Sequence, residues 1–131
     1  MIISKTPLRI TLAGGGTDLP SYYIKDSGYV ISLAIDKYIY ISLNKTFVDY
    51  FQLKYSKYEK VKNIEDIKHN LIRETFRYFK VKDKLEIASI ADVPSGTGLG
   101  SSGSFNVGLF NVLNQYLNKK LSQREIALES S

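Results

Sequence analysis

Apolar residues recur with period two early in this chain and at spacings of three and four further on, and each change of period marks an element. Arg9-Ile10-Thr11-Leu12-Ala13 alternates, placing Ile10 and Leu12 on one face of a strand. Tyr29 to Ile35 is apolar and rich in β-branched residues, and Tyr38 to Leu43 alternates again. Only Asp36-Lys37 separates these two runs, which predicts a tight hairpin or one bent strand. Phe51 to Tyr55 is a weaker strand candidate. Ile64, Ile67, Leu71, Thr75, Phe76 and Phe79 then follow one stripe of an amphipathic helix. Leu85 to Ile90 returns to strand, and from Ser102 onward Phe105, Leu109, Val112, Leu113 and Tyr116 share a helical face.

The last segment carries a start signal. Ser122-Gln123-Arg124-Glu125 is a capping box, with Leu121 and Ile126 at the positions that staple a helix start. No glycine, proline or basic last turn closes this helix before Ser131. The 131 residues therefore read as the front portion of something longer, and their length fits about one domain.

Composition narrows the chemistry. The chain is 44% hydrophobic and 24% charged, enough apolar material for a core. With no cysteine and a single histidine, His69, disulfides, thiolate metal sites, a His-based zinc site and a Ser-His-Asp triad all fall away. No apolar run approaches the ~20 residues of a membrane span, and the N-terminus lacks a signal-peptide pattern, so a soluble cytoplasmic protein is expected. The net charge of +5 is concentrated in residues 37–84, where 12 Lys/Arg face 6 Asp/Glu and Lys54, Lys57, Lys60 and Lys62 alternate with Tyr55 and Tyr58. A solvated outer face explains this stretch, a site for an anionic small molecule is a second reading, and RNA binding is a third that no nucleic-acid module supports.

Seven of the nine glycines fall in two clusters, Gly14 to Gly16 and Gly96 to Gly103. The second lies between a strand and a helix, as Asp92-Val93-Pro94-Ser95-Gly96-Thr97-Gly98-Leu99-Gly100-Ser101-Ser102-Gly103-Ser104. Alternating glycines let successive N–H groups converge on one concavity, and the following helix adds its free first-turn amides and positive dipole end. Phosphate suits such a place. Ser101 and Ser102 add hydroxyls that can donate to phosphate or ligate magnesium. A Gly/Ser linker or a close helix–sheet contact is the plainer account. The segment is not a Walker A loop, since no lysine precedes the serine pair. Asp18, after the first cluster, can accept from adjacent hydroxyls of a polyol or close an Asx turn, and Arg9 can be a strand-surface charge.

Pro94 to Ser102 resembles motif 2 of the GHMP small-molecule kinases, Pro-x-x-x-Gly-Leu-Gly-Ser-Ser, without a break. Pro7 to Tyr22, with its Gly-Gly-Gly-Thr-Asp, resembles motif 1, in the form similar to the D-glycero-D-manno-heptose 7-phosphate kinase group. Gly15 and Gly16 stand where the galactokinase branch has Glu-His, so contacts to the sugar differ there. The resemblance implies an α+β fold, a mixed sheet backed by helices with a left-handed βαβ crossover, where general rules favour the right hand. It implies transfer of the ATP γ-phosphoryl group to a hydroxyl of a sugar or sugar phosphate, with ATP and Mg²⁺ as cofactors. It places ATP on Pro94, Gly96, Gly98, Leu99, Gly100, Ser101, Ser102 and Gly103, magnesium at Ser101 and Ser102, and the acceptor at Gly15, Gly16, Thr17 and Asp18. It sets Arg9 near the transferred group, where a guanidinium stabilises spreading charge.

Residues 1–131 then correspond to the family's N-terminal, ATP-binding domain. The family's catalytic aspartate, magnesium-binding glutamate and third glycine-rich motif come after the motif-2 helix, and Glu129 is too early to serve. A non-catalytic nucleotide or sugar-binding module, or one half of a split kinase completed by a C-terminal partner or an oligomer, is the competing reading. In a coupled ADP assay, this chain alone is expected to show little or no turnover of heptose 7-phosphate with Mg-ATP; robust activity overturns the view that necessary groups lie elsewhere.

Overall fold

The computed structural model describes residues 1–130. Its strands are β1 (Ile2–Ala13), β2 (Ile31–Lys45), β3 (Phe51–Lys54), β4 (Tyr58–Val61) and β5 (Leu85–Ala91). Its helices are α1 (Pro20–Tyr23), α2 (Asn70–Phe79), α3 (Ser101–Tyr116) and α4 (Gln123–Glu129), with a 3-10 turn at Ile64–Asp66. The strands form one mixed sheet in the order β1-β2-β5-β3-β4. β3 and β5 are parallel and every other pairing is antiparallel. The expected α+β architecture is present, and α2 lies on the connection between the two parallel strands.

Alternation explains which face each strand buries. Ile39, Ile41 and Leu43 of β2, Leu53 of β3 and Leu85 and Ile87 of β5 point into the core. There they meet Ile72 and Phe76 of α2 and Leu109, Val112 and Leu113 of α3. The opposite face carries Lys54 and Glu86, paired at 2.6 Å, and Lys5 over the Tyr38 ring at 3.9 Å. The interleaved lysines and tyrosines fall on and beside the β3–β4 hairpin, where Lys60 lies over Tyr50 and Tyr58, so the solvated-face reading describes them except Tyr55, whose hydroxyl turns in to Glu59.

Three expectations change. The runs before and after Asp36-Lys37 are one strand, not a hairpin, because β1 pairs along both halves. Pro7 faces Tyr38 and Arg9 faces Ala34, so Ile35, Asp36 and Lys37 stand opposite Leu8 alone in a bulge. β1 begins at Ile2, and its fully buried residue is Leu8, while Leu12 is 62% exposed. The stripe from Ile64 to Phe79 is broken before α2 by the extended backbone of Ile67 and His69. β4 was absent from the sequence reading, since its alternation of Lys with Tyr and Glu carries little apolar signal.

The final helix matches its signal. Ser122 Oγ accepts from the Glu125 amide, Glu125 Oε2 accepts from the Ser122 amide at 2.8 Å, and Ile126 is buried.

Helix α3 lies against β1 and β2 because Gly108 has no side chain. A Cβ there would stand 2.9 Å from Thr6 Oγ1 and 3.0 Å from Ser4 Oγ. Gly108→Leu should therefore destabilise the fold by about 2 kcal/mol through overpacking, despite better helix propensity. Urea unfolding measures this, and an unchanged midpoint would show the contact to be loose.

Candidate functional site

The second glycine cluster is a loop between β5 and α3 that is fastened at both ends. At its start, Asp92 donates its amide to the Tyr38 carbonyl at 3.0 Å and accepts the Tyr38 amide on Oδ2 at 2.9 Å. At its end, the Arg9 amide donates to the Leu99 carbonyl at 3.0 Å and Ser104 Oγ donates to the Pro7 carbonyl at 2.8 Å. These two bonds bracket Leu8, opposite the bulge. They join the strand of the first glycine cluster to the loop of the second.

Between the fastenings, Gly96, Gly98 and Gly100 have φ of 83°, 73° and 72°, a region that L side chains rarely adopt. A Cβ on Gly96 or Gly98 would meet nothing within 4 Å, so open space lies over the turn. A Cβ on Gly100 would lie 2.9 Å from Arg9 Cγ, so Arg9 packs on the residue that begins α3. Arg9 Nη1 also donates to Thr11 Oγ1 at 3.2 Å and to Ser32 Oγ at 3.4 Å.

The start of α3 is left open. Gly100 provides no side-chain cap and no acidic residue stands in the first turn, so its free amides and dipole have no built-in anion. Ser101 Oγ is buried and makes no hydrogen bond. Such an orphan costs about 1–3 kcal/mol, a reason to expect a guest. The adjoining cleft of about 520 Å³ is lined by Ser95, Gly96, Ser101 and Ser102 together with Tyr55, His69, Leu71 and, one turn on from Ser101, Phe105. Pro94, Gly98, Leu99, Gly100 and Gly103 build the loop and helix start without lining this cleft.

The first cluster is built differently. Gly14, at φ 77°, would drive a Cβ to 1.6 Å from the Tyr29 carbonyl oxygen. Thr17 Oγ1 donates to the Gly14 carbonyl at 2.8 Å and accepts from the Tyr29 amide at 3.1 Å. Asp18 Oδ1 accepts from the Gly16 amide at 3.1 Å, two residues before it, so the carboxylate reaches back onto the glycine turn instead of closing the Asx turn expected of it. Gly16 leaves the outside of the turn uncovered, and a Cβ on Gly15 would rest on the Thr11 methyl at 3.7 Å, an ordinary contact. None of Gly15, Gly16, Thr17 and Asp18 lines the cleft.

A cluster behind the cleft escaped the sequence reading. Glu59 is buried and accepts from the Tyr55 hydroxyl at 2.5 Å, the Lys68 amide at 2.8 Å and the His69 amide at 3.2 Å. Burial pushes its carboxyl up, but the Tyr55 hydroxyl and the two amides outweigh that and hold it below the ordinary 4.5. Burial first, and then Glu59, pushes the Tyr55 hydroxyl up to about 12. Glu59 thereby fixes the approach to α2. Its one visible signal in sequence was an acid amid lysines.

Residues 67–130 match the family described as GHMP kinases N terminal domain. The chain is 34% identical, over 96% of its length, to D-glycero-alpha-D-manno-heptose 7-phosphate kinase of Campylobacter jejuni, and 34% identical over 97% to a galactokinase of Pyrococcus furiosus. It covers 41% and 37% of those two proteins, about two fifths of the curated relatives it matches. A crystal structure of a D-glycero-D-manno-heptose 1-phosphate kinase from Bacteriodes thetaiotaomicron superposes with TM-score 0.84 at 22% identity, over 99% of this chain and 46% of that one. A five-stranded mixed sheet carrying an open glycine loop ahead of a long helix is the architecture this chain shares with those kinases. The chain belongs to the GHMP kinase family and represents its N-terminal domain.

Because Glu59 is held below its ordinary pKa in the folded state, its stabilisation is complete above about pH 4.5 and is lost as pH falls through the lower folded value. Glu59→Gln should lower stability at pH 7 by about 2 kcal/mol and flatten the decline on the acid side. Urea titrations at pH 7 and pH 4 check both; a parallel loss at the two pH values contradicts the assignment.

Proposed function

We propose that the loop from Pro94 to Gly103 binds the phosphate chain of ATP, and that the complete kinase transfers the γ-phosphoryl group to a hydroxyl of a sugar or sugar phosphate of the heptose 7-phosphate type. The observation that carries this reading is the open start of α3, with the unpartnered Ser101 Oγ and the uncovered turn at Gly96 and Gly98 beside it. A phosphate offers acceptors to all of these donors at once. The names of the similar proteins support a sugar-type acceptor.

Ser101 and Ser102 would hold Mg²⁺, whose charge draws electron density from the phosphates during transfer. They are fitting but weak ligands on their own, and among the described residues no group of three His, Asp or Glu could complete a metal site. Arg9, packed on Gly100, is placed to meet charge on a phosphoryl group near the loop's end. In this reading Asp18 holds the acceptor with the carboxylate oxygen that the Gly16 amide leaves free, while Gly15 and Gly16 give the sugar an open floor. The Thr17 hydroxyl, committed to main chain on both sides, shapes that floor and contributes to the acceptor site through its backbone. Among the described residues no helix is long and apolar enough to cross a membrane, and a cytoplasmic setting accords with the use of ATP.

A chain that spans two fifths of its relatives also supports a second reading, a binding module or half of a split kinase that works with a C-terminal partner. The phosphate site is common to both. Calorimetric titration of Mg-ATP into the chain tests it. Ser101→Ala should weaken binding about 10-fold, the loss of a charge-assisted hydrogen bond of ~1.4 kcal/mol. Gly98→Ala should weaken it further by straining the turn. Absence of binding, or indifference to both substitutions, refutes the site.

A further inference from the structure

The chain's single histidine lines the same cleft as Gly96 and Ser101, in a setting that fixes its chemistry. His69 is the residue before α2, and its Nδ1 caps the helix by accepting from the Ile72 amide in a long contact of 3.5 Å. A nitrogen that accepts from an amide carries no proton, so the neutral ring holds its hydrogen on Nε2. Burial lowers the ring's pKa, which keeps it neutral at pH 7. The ring plane is held by Phe105, stacked at 5.1 Å, and by the edge-on Tyr55 at 4.6 Å. Tyr55 is in turn held through its hydroxyl by Glu59, which also takes the His69 amide. Nε2–H lies on the far side of the ring from the cap and makes no hydrogen bond among the described residues.

A rigid donor beside apolar walls, within one cleft of about 520 Å³ that also contains Ser101 and Gly96, suits a flat ring with acceptors on its edge. We propose that His69 recognises the heteroaromatic base of the nucleotide, its Nε2–H donating to an acceptor on the base edge while Tyr55 and Leu71 flank the ring. This rests on the phosphate reading above and adds a selectivity residue to it. The glycine loop binds any polyphosphate, whereas His69 makes the site prefer one that carries a base.

The substitution His69→Asn separates the two roles of this side chain. Asparagine is among the strongest helix caps, so the bond to the Ile72 amide survives while the ring and its donor are lost. Calorimetry with Mg-ATP and with magnesium tripolyphosphate is the measurement. The native chain should bind ATP more tightly, and His69→Asn should weaken ATP about 10-fold and leave tripolyphosphate unchanged. An equal loss for both ligands, or none for either, overturns the role of His69 while the phosphate site stands. If neither ligand binds the native chain, the phosphate reading fails and takes this inference with it. Nitrogen NMR of the native chain is independent of any variant, since only one histidine contributes. It should show the Nε2–H form shifting with ATP and not with tripolyphosphate, and a ring signal indifferent to ATP overturns the proposal.

Discussion

The arrangement depends on the two hydrogen bonds that bracket Leu8. A strand with its ladder intact would have no reason to hold a loop from the far end of the sequence. Here the bulge at Ile35 to Lys37 interrupts the β1–β2 register at Leu8, and the polar groups on either side of Leu8 engage other partners. The Arg9 amide takes the Leu99 carbonyl and the Pro7 carbonyl takes Ser104 Oγ. Leu8 itself is fully buried, so the apolar anchor and the polar clamp occupy consecutive positions. This links residues about ninety apart in sequence and sets the guanidinium of Arg9 against the start of α3. Gly108 extends the same contact along the helix, because only a residue without a side chain lets α3 approach the hydroxyls of Ser4 and Thr6.

The two C-terminal helices show what the open start of α3 means. Helix α4 spans Gln123–Glu129, and its cap is fully satisfied in both directions by Ser122 and Glu125. Helix α3, Ser101–Tyr116, is the more deeply packed and has no side-chain cap. Its stability comes from the buried Leu109, Val112 and Leu113, which let it tolerate unsatisfied amides at its start. Packing at one end thus keeps donors available at the other, which is what the proposed phosphate site requires.

Much of this was legible before the fold was known, and the failures share a cause. Both glycine clusters, the α3 stripe and the Ser122 cap are local patterns, and each appears where local reasoning places it. What was missed depends on partners distant in sequence. The Asp36-Lys37 break reads as a turn until β1 pairs on both sides of it. Glu59 reads as a surface acid until Tyr55 and the amides before α2 close around it. His69 vanished inside a stripe that ran from Ile64 to Phe79, because a period of three to four says nothing about the break at which a side chain turns back to cap a helix.

The glycines of the two clusters look alike in sequence, and the space around each shows that they do different work. At Gly14 and at Gly28 an added Cβ would run into the carbonyl oxygens of Tyr29 and Thr17, at 1.6 Å and 2.0 Å. Those two positions are closed by the protein's own backbone, whereas Gly16, at φ 90°, has nothing within 4 Å. At Gly96 and Gly98 the same test finds nothing within 4 Å, although φ is positive at both. In the proposed reading this open turn, held in a conformation that only glycine adopts easily, is shaped for a phosphate outside the chain. Gly100 combines the two roles, its positive φ starting α3 and its missing side chain admitting Arg9. The turn at Gly14, the cap residue Gly100 and the open turn at Gly96 and Gly98 are joined through the bonded pair Arg9 and Leu99. In the proposed reading, a charge delivered to that turn meets the Arg9 guanidinium, which packs on Gly100.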